Sequence, residues 1–162
     1  MAKESLLWQV RHFVYAHFAE NTRPPSVDEA AAHFDISMEE AREYYKELHK
    51  SHAIFLEADK DINNLAIRMA WPFSAVPTDF KVHANGKTYF ANCAWDMLGV
   101  PAALHSDAVI EAVCTESNET VQLVVKNGQI MESRSKAKRT IHQLLVHFPL
   151  PFSRWYDDLV FT

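Results

Sequence analysis

The chain has 162 residues, a formal net charge of −5 and 48% hydrophobic residues, enough for one ordinary domain or two small ones with a real core. The negative balance opposes a general nucleic-acid binder, and the absence of low-complexity stretches opposes intrinsic disorder. No apolar run approaches the ~20 residues that span a bilayer, and the first residues lack a charged-then-apolar leader, so a soluble cytoplasmic protein with no membrane partner is expected.

The first third reads as helical. Leu6, Leu7, Val10, Phe13, Val14 and Phe18 recur at helical spacing and predict an amphipathic helix over 5–19, broken by Asn21-Thr22-Arg23-Pro24-Pro25. Ser26-Val27-Asp28-Glu29 and Ser37-Met38-Glu39-Glu40 each have the form of a capping box, so a second helix starts at Ser26 and a third runs from Ser37 to about Ser51. Residues 53–56 and 65–68 read as two strands around a polar turn.

Three helices followed by a hairpin describe a winged-helix-like module over 1–70. Its third helix would be the DNA reader, yet it sets Glu39, Glu40, Glu43 and Glu47 against Arg42, Lys46 and Lys50. Carboxylates facing phosphates oppose the main electrostatic contribution to affinity, so nucleic acid is not the expected partner. A helical module that packs against the rest is the competing reading. Residues 71–79, rich in proline and aromatics, read as a linker that packs down.

The sequence from 80 to 162 reads as a small, mixed, mostly antiparallel sheet. Strands at 80–83 and 87–90 flank Asn85-Gly86, the strongest short hairpin signal. A helix is expected from Ala91 to about Gly99, stopped by Gly99 and Pro101. Strands follow at 108–114 and 120–125, Asn127-Gly128 marks a turn, and 140–148 reads as a further apolar strand. The predicted class is α+β.

Cys93 and Asp96 stand three apart, which on a helix places them on one face. A helix N-terminus lowers a thiol pKa, whereas a neighbouring carboxylate raises it, so the two groups can share a proton. The competing reading is a cysteine packed as a small hydrophobe with Asp96 facing solvent. Trp95 between them either walls a pocket or packs in the core. The histidines offer no complete zinc set: His49 and His52 share a helical face without further ligands, and His142 and His147 face opposite sides of a strand. Asp157-Asp158 with Trp155 reads as a solvated turn.

The segment Tyr89-Phe90-Ala91-Asn92-Cys93-Ala94-Trp95-Asp96-Met97-Leu98-Gly99-Val100-Pro101 resembles the core motif of the alkylmercury lyases (organomercurial lyases): an aromatic-led strand, then Cys-Ala-x-Asp-x-Leu, then a proline three residues on. That family also joins a winged-helix-like module to a small mixed sheet, which gives the fold of the whole chain as an expectation. The resemblance implies cleavage of a carbon–mercury bond without a cofactor. Cys93 would bind mercury as a thiolate and Asp96 would deliver the proton to the leaving carbon, both residues contacting the metal. An organomercurial, or another soft-metal ligand, and small thiols would be the partners.

Cys114 resembles the family's structural cysteine, and its place in an apolar strand agrees with packing. The family uses a second catalytic cysteine further toward the C-terminus. The stretch 152–162 is similar to the approach to that cysteine, and these 162 residues contain none after Cys114. Two other functions stay open: a thiol-based binder of mercury or another soft metal without turnover, and a winged-helix regulator whose sheet domain senses a ligand.

Overall fold

The computed structural model describes residues 2–57, 65–114, 117–135, 146, 151 and 154. The chain divides into two compact units, Met1–Val76 and Pro77–Thr162. The expected strand at 140–148, apart from Val146, and the stretch 152–162, apart from Arg154, lie outside the described residues, as do His142, His147 and Trp155-Tyr156-Asp157-Asp158.

The first unit holds α1 (Ala2–Asn21), α2 (Val27–Phe34) and α3 (Met38–Lys50), then β1 (Phe55–Leu56), β2 (Ile67–Ala70) and β3 (Phe73–Ser74). Helix α1 is longer than its apolar repeat: Val10, Val14 and Phe18 are its buried positions, and the polar ends continue the same helix. Both capping boxes form. Ser26 Oγ accepts from the Glu29 amide at 3.4 Å, and the Ser26 amide donates to Glu29 Oε2 at 2.8 Å. Ser37 and Glu40 repeat the exchange at 3.2 and 3.0 Å. Each box satisfies backbone donors that a helix start leaves open.

Strand β2 pairs antiparallel with β1 and with β3. The segment expected as a linker therefore contributes a strand, turning through a cis Trp71-Pro72 bond so that Ala70 opposes Phe73. Phe73 is buried and stacks on Phe18, with ring centroids 5.5 Å apart. This apolar contact holds the segment down.

The second unit holds β4 (Lys81–Ala84), β5 (Lys87–Ala91), α4 (Asp96–Leu104), β6 (Ala108–Val113), β7 (Thr120–Lys126) and β8 (Gln129–Ser135). Its strands lie in the order β5-β4-β6-β7-β8, every described pairing antiparallel. Asn85 and Gly86 have φ of 52° and 72°, and Asn127 and Gly128 have 50° and 73°. Both pairs thus adopt the left-handed conformations of a type I′ turn, whose twist matches the strands it joins.

Tyr89, Val82, Ile110 and Leu123 oppose one another across four strands and are all buried. Helix α4 covers this face, packing on β4, β5 and β6 with Met97, Val100 and Pro101 buried. The opposite face carries Lys81, His83, Glu111 and Gln122, more open to solvent, where Gln122 Nε2 donates to Glu111 Oε1 at 3.2 Å.

Candidate functional site

The site grows out of the end of β5. That strand stays paired through Ala91, whose amide donates to the Phe80 carbonyl at 2.9 Å, while Thr78 Oγ1 donates to the Ala91 carbonyl at 2.6 Å. The chain must turn before a helix can start, and Asn92-Cys93-Ala94-Trp95 make that turn. Helix α4 begins at Asp96, so the expected helix from Ala91 to Gly99 is displaced by five residues at each end.

Neither Gly99 nor Pro101 stops it. Proline's fixed φ is itself helical, and the hydrogen bond its ring removes is outweighed here by burying Val100 and Pro101 against the sheet. The helix ends instead at His105, in the left-handed conformation. The Ser106 amide reaches the Pro101 carbonyl and the His105 amide the Ala102 carbonyl, the pattern of a Schellman motif.

Cys93 therefore stands just before the helix rather than within its first turn. Its carbonyl accepts from the Met97 amide at 3.1 Å, so the turn already has helical hydrogen bonding. Trp95 occupies the capping position without a side-chain cap. The backbone amides of Trp95 and Asp96 face the Cys93 sulfur and pull its pKa down. The Cys93 thiol and the Asp96 carboxyl group lie close enough to shift one another's ionisation. The structure thus brings Cys93 and Asp96 close enough to influence one another, although Cys93 lies before the helix that their spacing suggested they share.

Asp96 is 7% exposed. Burial lifts its pKa from 3.8 to about 6, against the opposing pull of hydrogen bonds from Asn92 and Cys93. Asn92 Nδ2 donates to Asp96 Oδ2 at 3.1 Å. The half-buried Cys93 thiol is raised above its ordinary pKa, first by burial and then by the Asp96 charge; the two amide donors pull it back only in part. The helix start thus does not win over burial. Near neutral pH the arrangement is a protonated thiol beside a carboxylate. This is a nucleophile held as its conjugate acid beside a base.

Other candidates fall outside this pair. Trp95 is 58% exposed, which removes the core reading. Cys114 lies one residue beyond β6 and is half-buried; its amide donates to the Glu119 carbonyl and its carbonyl accepts from the Asn118 amide. His49 Nδ1 accepts from the Leu56 amide at 3.3 Å and its ring meets Phe55 edge-on, a packing role. Among the described residues, no three His, Cys, Asp or Glu side chains cluster as a metal site. Sequence reasoning passed over Asn92. The signal was its position four residues before a carboxylate whose burial requires a donor.

On the outer surface of α3, Arg42 pairs with Glu39 at 3.4 Å and Lys46 with Glu43 at 2.6 Å, both within the helix. Among the described residues, no helix is long and apolar enough to cross a membrane.

The family model described as alkylmercury lyase, MerB, matches residues 73–155. Among solved structures, the chain is similar to the mercury-bound form of MerB2, with a TM-score of 0.62 and 22% identity over 85% of this chain and 66% of that one. At this identity the likeness is one of fold. The chain spans just under two thirds of that relative's length. No curated protein matches. The family match takes in half of the chain, including the whole Cys93–Asp96 turn, and the chain belongs to the alkylmercury lyase family.

Proposed function

We propose that this protein cleaves carbon–mercury bonds by protonolysis at Cys93 and Asp96. The observation that carries the proposal is the thiol of Cys93 beside a carboxylate that is 7% exposed and held near pKa 6. A carboxyl group of that pKa can take a proton and return it near neutral pH.

In this reading the sulfur of Cys93 bonds to the mercury of an organomercurial, displacing the halide or small thiolate that mercury carries into solution, as the thiol proton passes to Asp96. Mercury is a soft metal and thiolate a soft ligand. Asp96 then delivers that proton to the carbon bound to mercury. The carbon–mercury bonding pair forms the new C–H bond, the hydrocarbon leaves, and mercury(II) remains on Cys93. No oxidation state changes and no organic cofactor takes part. Small thiols remove the mercury, as soluble partners in a cytoplasmic setting. Asn92 holds the Asp96 carboxylate while the thiol works on it. The first unit, with its three helices and the β1–β2 pair, we read as a winged-helix-like module that serves packing rather than DNA, because α3 pairs its own cations with its own carboxylates.

The test is incubation of the protein with a simple organomercurial and excess small thiol, with the hydrocarbon measured in the headspace. Release by the natural sequence, lost in Cys93→Ser and Asp96→Ala, is the expected result. Stoichiometric uptake of mercury through Cys93 with no hydrocarbon would replace the lyase by a binder.

A further inference from the structure

Trp95 and Asp96 are consecutive, and the start of α4 sends them to opposite sides. Asp96 is 7% exposed, whereas Trp95 is 58% exposed. Trp95 stands where a helix gains most from a serine, threonine, aspartate or asparagine, and it makes no side-chain cap. The chain places serine at that position in α2 and α3. An indole there forgoes the cap without burying its ring in the core, so folding does not account for it. The other exposed large apolar side chains, Trp8, Met38, Ile130 and Met131, belong to α1, α3 and β8. Among the described residues, Trp95 is thus the large exposed apolar side chain of the turn that carries Cys93.

The backbone sets its place relative to the sulfur. The Trp95 amide faces the Cys93 sulfur. The indole hangs from the carbon bonded to that same nitrogen, a link of about 1.46 Å. Every rotamer of Trp95 therefore keeps the ring close to the sulfur. On mercury(II) with one sulfur and one carbon ligand, the two ligands lie nearly in line. The organic group is carried two bonds out from Cys93. A methyl group ends there, whereas an aryl group continues as a flat apolar face that an indole can cover.

We propose that Trp95 determines specificity by stacking on the organic group of the substrate, so that the site prefers mercurials bearing an aromatic ring, such as phenylmercury, over methylmercury. The inference rests on the reading that Cys93 takes up the mercury of an organomercurial. Two aromatic faces in contact remove apolar surface from water and match their ring charge distributions. Trp95 touches the organic group and leaves proton delivery to Asp96. The contact is made equally before and during bond cleavage, so it belongs in KM rather than kcat.

Two measurements test it. In the first, the protein turns over phenylmercuric or methylmercuric chloride with excess small thiol, and benzene or methane is measured in the headspace. Trp95→Ala should lower the phenyl-to-methyl ratio of kcat/KM roughly tenfold, through KM, and Trp95→Phe should keep most of it. The second needs no turnover. Asp96→Asn, alone and combined with Trp95→Ala or Trp95→Phe, is mixed with equal amounts of both mercurials and excess small thiol. Mass spectrometry of the intact chain, fragmented to locate the adduct at Cys93, counts the two adducts. The phenyl-to-methyl adduct ratio should fall by a similar factor with Trp95→Ala and recover with Trp95→Phe. Equal ratios with and without the indole, or a Trp95→Phe form as indifferent as Trp95→Ala, would overturn the proposal. Absence of both hydrocarbons would end the lyase reading, and the adduct ratio would still decide this one.

Discussion

The helix starts of the two units solve the same problem with different chemistry. In the first unit, α2 and α3 open with a serine and a glutamate that satisfy one another's backbone donors at the surface. In the second, α4 opens on Trp95 without a side-chain cap, and the amides of Trp95 and Asp96 face a cysteine sulfur instead of a serine hydroxyl. The serine boxes are exposed and stabilise. The cysteine start is half-buried, faces a carboxylate with almost no solvent, and destabilises. A helix start that forgoes a good cap and buries a charge is spending stability on something other than folding.

The comparison can be broken in four ways, from the largest expected effect to the smallest. Removing either member of the α4 pair, as Cys93→Ser or Asp96→Ala, should eliminate hydrocarbon release, whereas Ser26→Ala in the first unit should leave it unchanged. Equal losses from both units would end the distinction.

The second concerns pH. Burial raises the Asp96 pKa in the folded chain, from 3.8 to about 6, so between those values the folded state holds a proton that the unfolded state releases. Folding stability from this group is therefore present below 3.8, falls as pH rises to about 6, and stays low above it. Asp96→Asn should raise stability at pH 7 by as much as about 3 kcal/mol and have far less effect at low pH. Denaturant titrations at both pH values check this; a destabilised Asn variant at pH 7 would show that the carboxylate earns its place by structure. The same ionisation should make hydrocarbon release decline below about pH 6, as the carboxylate loses its capacity to accept the thiol proton.

Third, Ser26→Ala should cost about 1 kcal/mol, because it leaves an α2 amide without its acceptor. Thermal unfolding measures it. Last, Lys46→Ala should leave the melting temperature unchanged, since its bond to Glu43 lies in solvent and salt screens it.

Much of the fold was legible because its signals are local. Ser26-Val27-Asp28-Glu29 and Asn85-Gly86 carry their geometry within four residues, and both appear as the sequence predicts. The start of α4 was not legible. Gly99 and Pro101 are stop signals by propensity, and only burial of Val100 and Pro101 against strands distant in sequence overrides them. Strand β3 was hidden for the same reason: Phe73 in a proline-rich stretch reads as linker until Phe18 is placed beneath it. The pair Cys93 and Asp96 was found through the motif, but its geometry differs from a shared helical face. Spacing carries residue identity, whereas the placement of the helix start depends on how far β5 stays paired.

The turn at Asn85-Gly86 lies at the far end of β4 and β5 from Cys93, with four residues of ladder between. Because side chains alternate strictly along a strand, that turn sets the parity of everything after it. A slip of one residue there would turn Tyr89 and Ala91 outward and deliver Cys93 to the wrong side of the sheet. The reactive sulfur is thus aimed by a glycine that never comes near it, as a sight at one end of a barrel fixes where the other end points.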